Sequence, residues 1–156
     1  MNIENSTTLS ISKCHEVQIH YKRPLIKNMA KVSSSREVCK LLKEHINLNQ
    51  LDYKEFFWVM VLSNANHVLG ISQISVGSTR GTMVNIKEVY QLGLLMNASG
   101  LIVAHNHPSG ILRASQSDIE LTKKLSEGAK LLDLKLLDHL ILTSESYMSF
   151  SDEGIF

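Results

Sequence analysis

Apolar positions recur along this chain in two rhythms, one helical and one alternating. Val38, Leu41, Leu42 and Ile46 fall on a single stripe after Ser33-Ser34-Ser35, a run that offers N-caps, and predict a helix ending near Asn47. Phe56-Phe57-Trp58-Val59-Met60-Val61-Leu62 is a dense β-favouring run, too short for a helix, and reads as a strand whose aromatics belong to the core. Ser63-Asn64-Ala65-Asn66 is a turn, and residues 68–76 return as the second arm of a hairpin, followed by a loop at 77–81. Asn85 with Glu88 makes a capping box ahead of a helix that carries Ile86, Val89, Tyr90, Gly93, Leu94 and Met96 to about Asn97. Residues 101–104 form a strand. Residues 115–132 form a helix, with Ile119, Thr122, Leu125, Ala129 and Leu132 at helical spacing. Residues 136–143 and 147–150 give two more strands. Near the start, Val17, Ile19 and Tyr21 alternate within 16–21 and predict an opening strand that Pro24 ends.

The resulting order, β-α-β-β-α-β-α-β-β, predicts an α/β (α+β) domain: a single mixed β-sheet with packed helices. Residues 1–13 are polar and Ser/Thr-rich and read as a flexible lead-in, leaving 14–156 as the domain. A length of 156 residues suits one core, and an ordinary apolar fraction argues against disorder. No apolar run approaches the ~20 residues of a membrane-spanning helix, and the polar start does not resemble a signal peptide, so no membrane partner and a cytoplasmic location are expected. Cys14 and Cys39 form no C-x-x-C pair; reduced thiols are the simplest state, although spacing alone does not exclude a disulfide. Lys22, Arg23, Lys27, Lys31, Arg36, Lys40 and Lys43 lie against a single acid, Glu37. A nucleic-acid patch and the solvated face of a loop and helix both fit that run. The net charge of +1 favours the second.

The chemistry concentrates in His105-Asn106-His107-Pro108 and the residues up to Asp118. In an extended segment, positions i and i+2 point to one side, so His105 and His107 can present two imidazoles to one point while Asn106 faces away. Asp118 comes from the first turn of the following helix, across a loop that Ser109-Gly110 leaves free to fold back. Two histidines and a carboxylate leave a fourth tetrahedral position for water, the mark of a catalytic zinc site, where the pKa of that water can fall to ~7. Ser115 with Asp118 is also a good capping box without any metal. The two readings are compatible, since Ser115 can cap the helix and still offer its hydroxyl proton to a reacting oxygen.

His105-Asn106-His107-Pro108, six residues, Ser115, two residues and Asp118 resemble the JAMM motif of the JAB1/MPN metalloenzymes, and His105 to Gly110 as H-N-H-P-S-G resembles the RadC-like branch. Gly81-Thr82, Asn97-Ala98-Ser99, Leu137-Asp138-His139 and Tyr147-Met148-Ser149-Phe150 with Gly154 agree, so the resemblance covers about 14–156. It implies a cytidine-deaminase-like MPN (JAB) domain, a Zn2+ ion held by His105, His107 and Asp118, and an upstream glutamate as general acid/base. Glu55 stands at that position, immediately before the strand 56–62, with Glu88 as the competing candidate. The family's serine, here Ser115, implies a donor to the tetrahedral oxyanion. Longer relatives carry an N-terminal helical region, so the resemblance is to a short, stand-alone form. Asn85-Ile86-Lys87 and Ala114 depart from the family's usual prolines, which loosens one helix start and the placement of Ser115.

Two functions follow from the resemblance. One is a zinc hydrolase attacking an amide, in a peptide or isopeptide of a peptide or protein substrate. The other is a DNA repair or recombination accessory of mobile elements, with the metal acting on DNA or vestigial. The near-neutral charge argues against tight DNA binding. Asp138 and His139 are adjacent on a predicted strand and face opposite sides, so a hydrogen-bonding support role is expected of them in place of a joint acid–base role. His15, His20, His45 and His67 have no spacing that demands function, and nothing in the pattern defines an oligomeric state.

Overall fold

A computed structural model describes residues 17–77 and 83–156. The lead-in at 1–13, Cys14, His15 and most of the loop at 77–81 lie outside the described residues. The elements run α1 (Ser35–His45), β1 (Phe56–Leu62), β2 (Val68–Val76), α2 (Ile86–Leu95), β3 (Gly100–Asn106), α3 (Gln116–Leu131), β4 (Lys135–Leu142) and β5 (Tyr147–Ser149), with short 3-10 turns at Ile26–Asn28 and Leu48–Gln50. One mixed sheet has the order β2-β1-β3-β4-β5. β3 and β4 are parallel and joined by α3, while the other neighbours are antiparallel. The α/β architecture is the predicted one.

The opening strand is not formed. Residues 17–21 carry no regular structure, and Val17 and Ile19 are 89% and 81% exposed. Alternation makes a strand only where a neighbour can complete its hydrogen bonds, and no strand among the described residues runs alongside. A later piece of chain meets the sheet edge instead: Val68 N–H donates to the Ala30 carbonyl and Val32 N–H to the Asn66 carbonyl, around an isolated Lys31–His67 bridge.

Side-chain alternation divides the sheet into two buried faces. Phe56, Trp58, Met60, Leu62, Ile102, Ala104, Leu140 and Leu142 pack with Val38 and Leu42 of α1. Phe57, Val59, Val61, Leu101 and Val103 pack with Val89 of α2 and Leu125 and Ala129 of α3. α1 starts at Ser34, whose hydroxyl accepts from Glu37 N–H. Asn85 likewise caps α2 by accepting from Glu88 N–H. Of the basic run, Lys22, Arg23, Lys27, Lys31, Arg36 and Lys40 are exposed and Lys43 is half-buried. Cys39 is a buried free thiol that burial shifts toward a higher pKa. Among the described residues no helix is long and apolar enough to cross a membrane.

Candidate metal centre

β3 begins one residue earlier and ends two residues later than the sequence pattern predicts, and so takes in His105 and Asn106. His105 therefore shares a face with Leu101 and Val103, toward α3, and lies 2% exposed against the Phe57 ring at 6.5 Å. His107 follows the strand. Its N–H donates to the Leu142 carbonyl, and its own carbonyl accepts from Gly110 N–H. Gly110 has φ +76°, which a side chain would resist, so the chain turns back sharply here. The turn brings the Ile111 carbonyl to 2.8 Å from His107 Nδ1, which must donate to it and so leaves Nε2 to face the centre.

The other end of the loop is set by the N-terminus of α3. Ser115 Oγ accepts from Asp118 N–H, while Ser115 N–H and Oγ–H both donate to Asp118 Oδ2, at 2.7 and 2.6 Å. The predicted capping box is thus complete. It also turns Asp118 toward the histidines, with Oδ1 3.3 Å from His105 Nε2 and Oδ2 3.6 Å from His107 Nε2. The two Nε2 atoms are 3.0 Å apart. The ligand atoms of His105, His107 and Asp118 all lie within 4.8 Å of one another.

These atoms converge as electron pairs. In a tetrahedral site with bonds of about 2.0–2.2 Å, ligand atoms sit roughly 3.3–3.5 Å apart. The 3.3 Å from Asp118 Oδ1 to His105 Nε2 matches this, and the two imidazole nitrogens, at 3.0 Å, lie slightly closer. Without a cation between them, such lone pairs repel, and a proton on His107 is the nearest substitute. The Asp118 carboxylate is the main cause of a raised pKa on His107; burial opposes it, and the Ile111 carbonyl and the charges of Asp118 and Glu55 add to it. His105 moves the opposite way, to about 4, because burial outweighs the attraction of Asp118 and the neighbouring His107 adds repulsion. The 3.3 Å approach of His105 to Asp118 is therefore not an ion pair at neutral pH. Burial pushes the Asp118 carboxyl up, but the combined pull of His107, His105 and Ser115 holds it well below the usual carboxylate range. With the His107 proton displaced, the donor set would be two imidazole nitrogens and an ionised carboxylate, which suits a divalent cation.

Glu55 lies at the mouth of β1, half-buried, where its charge reaches His107. Its position depends on Asn106. That side chain is fully buried on the α1 face of β3 and grips the chain on both sides of Glu55: Oδ1 accepts from Phe56 N–H, and Nδ2 donates to the Lys54 and Leu51 carbonyls, all at 2.7 Å. The residue between the two histidines thus anchors the segment that bears the glutamate. Its signal in sequence was the alternation itself, which sends position 106 to the other face. Glu88 stands in the first turn of α2, where its backbone N–H donates to the Asn85 side chain.

Asp138 and His139 point to opposite faces, as expected. Asp138 accepts from Ser149 Oγ–H, Ser151 N–H and His139 N–H, and so closes the turn after β5. His139 lies fully buried behind His105, stacked on Phe150 at 4.6 Å, with Thr122 of α3 on its far side. Thr122 was legible only as a polar residue on a buried helical stripe.

The fold and centre define a mixed α/β domain with a His–His–Asp group able to hold a metal ion, one strand away from a glutamate. Residues 32–155 match the RadC-like JAB domain family. The chain belongs to that family. It is 40% identical over 154 residues to a UPF0758 protein of Flavobacterium johnsoniae, covering 99% of this chain and 66% of the relative. A UPF0758 protein of Desulfitobacterium hafniense is 38% identical over 132 residues, covering 85% and 56%. One from Clostridium acetobutylicum is 33% identical over 153 residues, covering 98% and 66%. The chain spans between about half and two thirds of the length of these relatives.

Proposed function

We propose that this protein is a zinc-dependent hydrolase that directs water onto an amide bond of a peptide or isopeptide. The observation that carries the reading is the placement of Glu55, a carboxylate outside the ligand set, within electrostatic reach of His107 in a His–His–Asp centre. The bound ion supplies an acidified water and a Lewis acid for the substrate carbonyl. Glu55 takes the proton of the attacking water and returns it to the departing amine, the step an amide needs because an unprotonated amine leaves poorly. Ser115 has two duties in sequence: its hydroxyl proton orients Asp118 through the 2.6 Å bond, and rotation about its side chain redirects that proton to the developing oxyanion. The near-neutral net charge of +1 favours an amide over DNA as the substrate.

The test is metal analysis of the purified chain, then turnover. About one zinc per chain is expected in wild type, and none in His107→Ala. A peptide and isopeptide panel then reports hydrolysis that Glu55→Gln abolishes while retaining zinc. A wild type that takes up no zinc sinks the proposal. Zinc binding with no amide turnover, accompanied by salt-sensitive micromolar DNA binding, moves the function to the DNA reading.

A further inference from the structure

We infer that Thr122 and His139 are positioning residues that fix the tautomer of His105, so that its Nε2 lone pair, and not an N–H, faces the metal centre. The inference rests on the metal-centre part of the reading above and not on the hydrolytic step.

The Asp118 backbone carbonyl can only accept, and Thr122 Oγ1 lies 2.6 Å from it. Two oxygens hold that separation only with a proton between them, so the Thr122 hydroxyl donates to Asp118. With its proton spent, Thr122 Oγ1 can only accept from His139 Nδ1, also 2.6 Å away. His139 is therefore protonated at Nδ1. Fully buried and stacked on Phe150, it is in no place to carry a second proton, so its Nε2 is bare. His105 Nδ1 is 2.8 Å from that bare nitrogen and must carry the hydrogen. The remaining nitrogen of His105, Nε2, is left as the lone pair directed at His107 and Asp118.

The relay closes on itself. It begins at the main chain of Asp118, one ligand, and ends at the imidazole of His105, another. The first turn of α3 thereby supplies both a carboxylate and the polarity of the histidine facing it. A metal-ligating histidine needs such a partner on its distal nitrogen, and removing one typically weakens metal affinity ~10–100-fold. Valine at position 122 has the shape of threonine but no hydroxyl, so His139 would lose its acceptor and become free to place its proton on Nε2. It would then confront the Nδ1–H of His105 with another N–H, and His105 would reverse its own proton toward the centre.

The experiment is a long-range 1H–15N correlation spectrum of the full chain with 15N-labelled histidine, before and after zinc is added, together with zinc affinity by chelator competition. In wild type, His139 and His105 should both show the Nδ1–H tautomer, even before zinc is present. Thr122→Val should shift His139 toward Nε2–H and weaken zinc binding ~10–100-fold, and Thr122→Ser should restore both. A merely structural role for Thr122 would alter thermal stability without changing tautomers, and serine would give no selective rescue of affinity. An Nε2–H tautomer on His139 in the wild-type spectrum overturns the inference even if the valine variant fails to fold. So does wild-type zinc affinity in a folded Thr122→Val. Zinc uptake by wild type separately reports on the metal centre, so failure of that reading is distinguishable from failure of the relay.

Discussion

Asn106→Ala separates the two faces of β3 experimentally. The truncation removes three hydrogen bonds of 2.7 Å from a fully buried site. Phe56 N–H and the Leu51 carbonyl belong to buried residues and would be left without partners, whereas Lys54 is exposed and its carbonyl can turn to water. At roughly 1–3 kcal/mol for each of the two buried groups left unpaired, and little for Lys54, the cost is about 2–6 kcal/mol. That is a large share of the roughly 5–15 kcal/mol that holds a domain together. For a chain of this size it lowers the melting temperature by about 4–24 °C. Urea unfolding at constant m-value measures the loss directly. The three ligands lie off this face, so zinc affinity should stay near wild type while turnover drops with the displaced Glu55. A loss under about 1 kcal/mol, or a fall in zinc affinity as large as the fall in turnover, would refute the assignment of Asn106 as the anchor of the Glu55 segment.

Further outcomes follow from the same geometry. Glu55→Gln should reduce amide turnover by at least about 100-fold with zinc content unchanged, measured by metal analysis and single-turnover kinetics. Stability of the zinc-free protein should fall as pH drops from about 6.5 toward about 4. His105 titrates near 4 when folded, below its unfolded value, so its contribution is intact above the unfolded pKa and is lost on acidification. Two to three pKa units correspond to about 3 kcal/mol for His105, and His139, depressed chiefly by burial, acts in the same direction. A flat urea midpoint across that window would contradict neutral buried imidazoles. Gly128→Ala should destabilise despite alanine's better helix propensity, because the new methyl would meet the Tyr90 ring, 2.9 Å from Cζ, and disturb the Tyr90 hydroxyl bond to the Leu125 carbonyl. Calorimetry decides the sign.

Periodicity located every helix and strand of the sheet to within a residue or two, because each of these elements buries one face against another and so must alternate at its own period. It failed at 17–21, where the same alternation has no neighbouring strand among the described residues to complete it; pairing is a property of the whole sheet and leaves no mark on one segment. His105, His107 and Asp118 were legible through short-range spacing, since a strand end, a tight turn and a helix cap bring them together locally. Glu55 could not be placed by spacing, because it approaches from β1 through pairing across fifty residues of sequence; only the family resemblance pointed to it. Asn106 and Thr122 were hidden for a different reason. Their importance lies in which polar atoms they meet, and a buried polar residue looks the same in sequence whether it closes a network or merely tolerates its surroundings.

The alternation of β3 also makes the centre an all-or-nothing assembly. His105 and Asn106 are neighbours on opposite faces of one strand, so a single-residue slip of β3 against β1 would turn the amide into the ligand pocket and the imidazole onto the segment that bears Glu55. Such a chain would lose its ligands and its anchor together. On the hydrolytic reading proposed above, this link between the His–His–Asp group and correct folding would guard against stray hydrolysis, through two adjacent side chains.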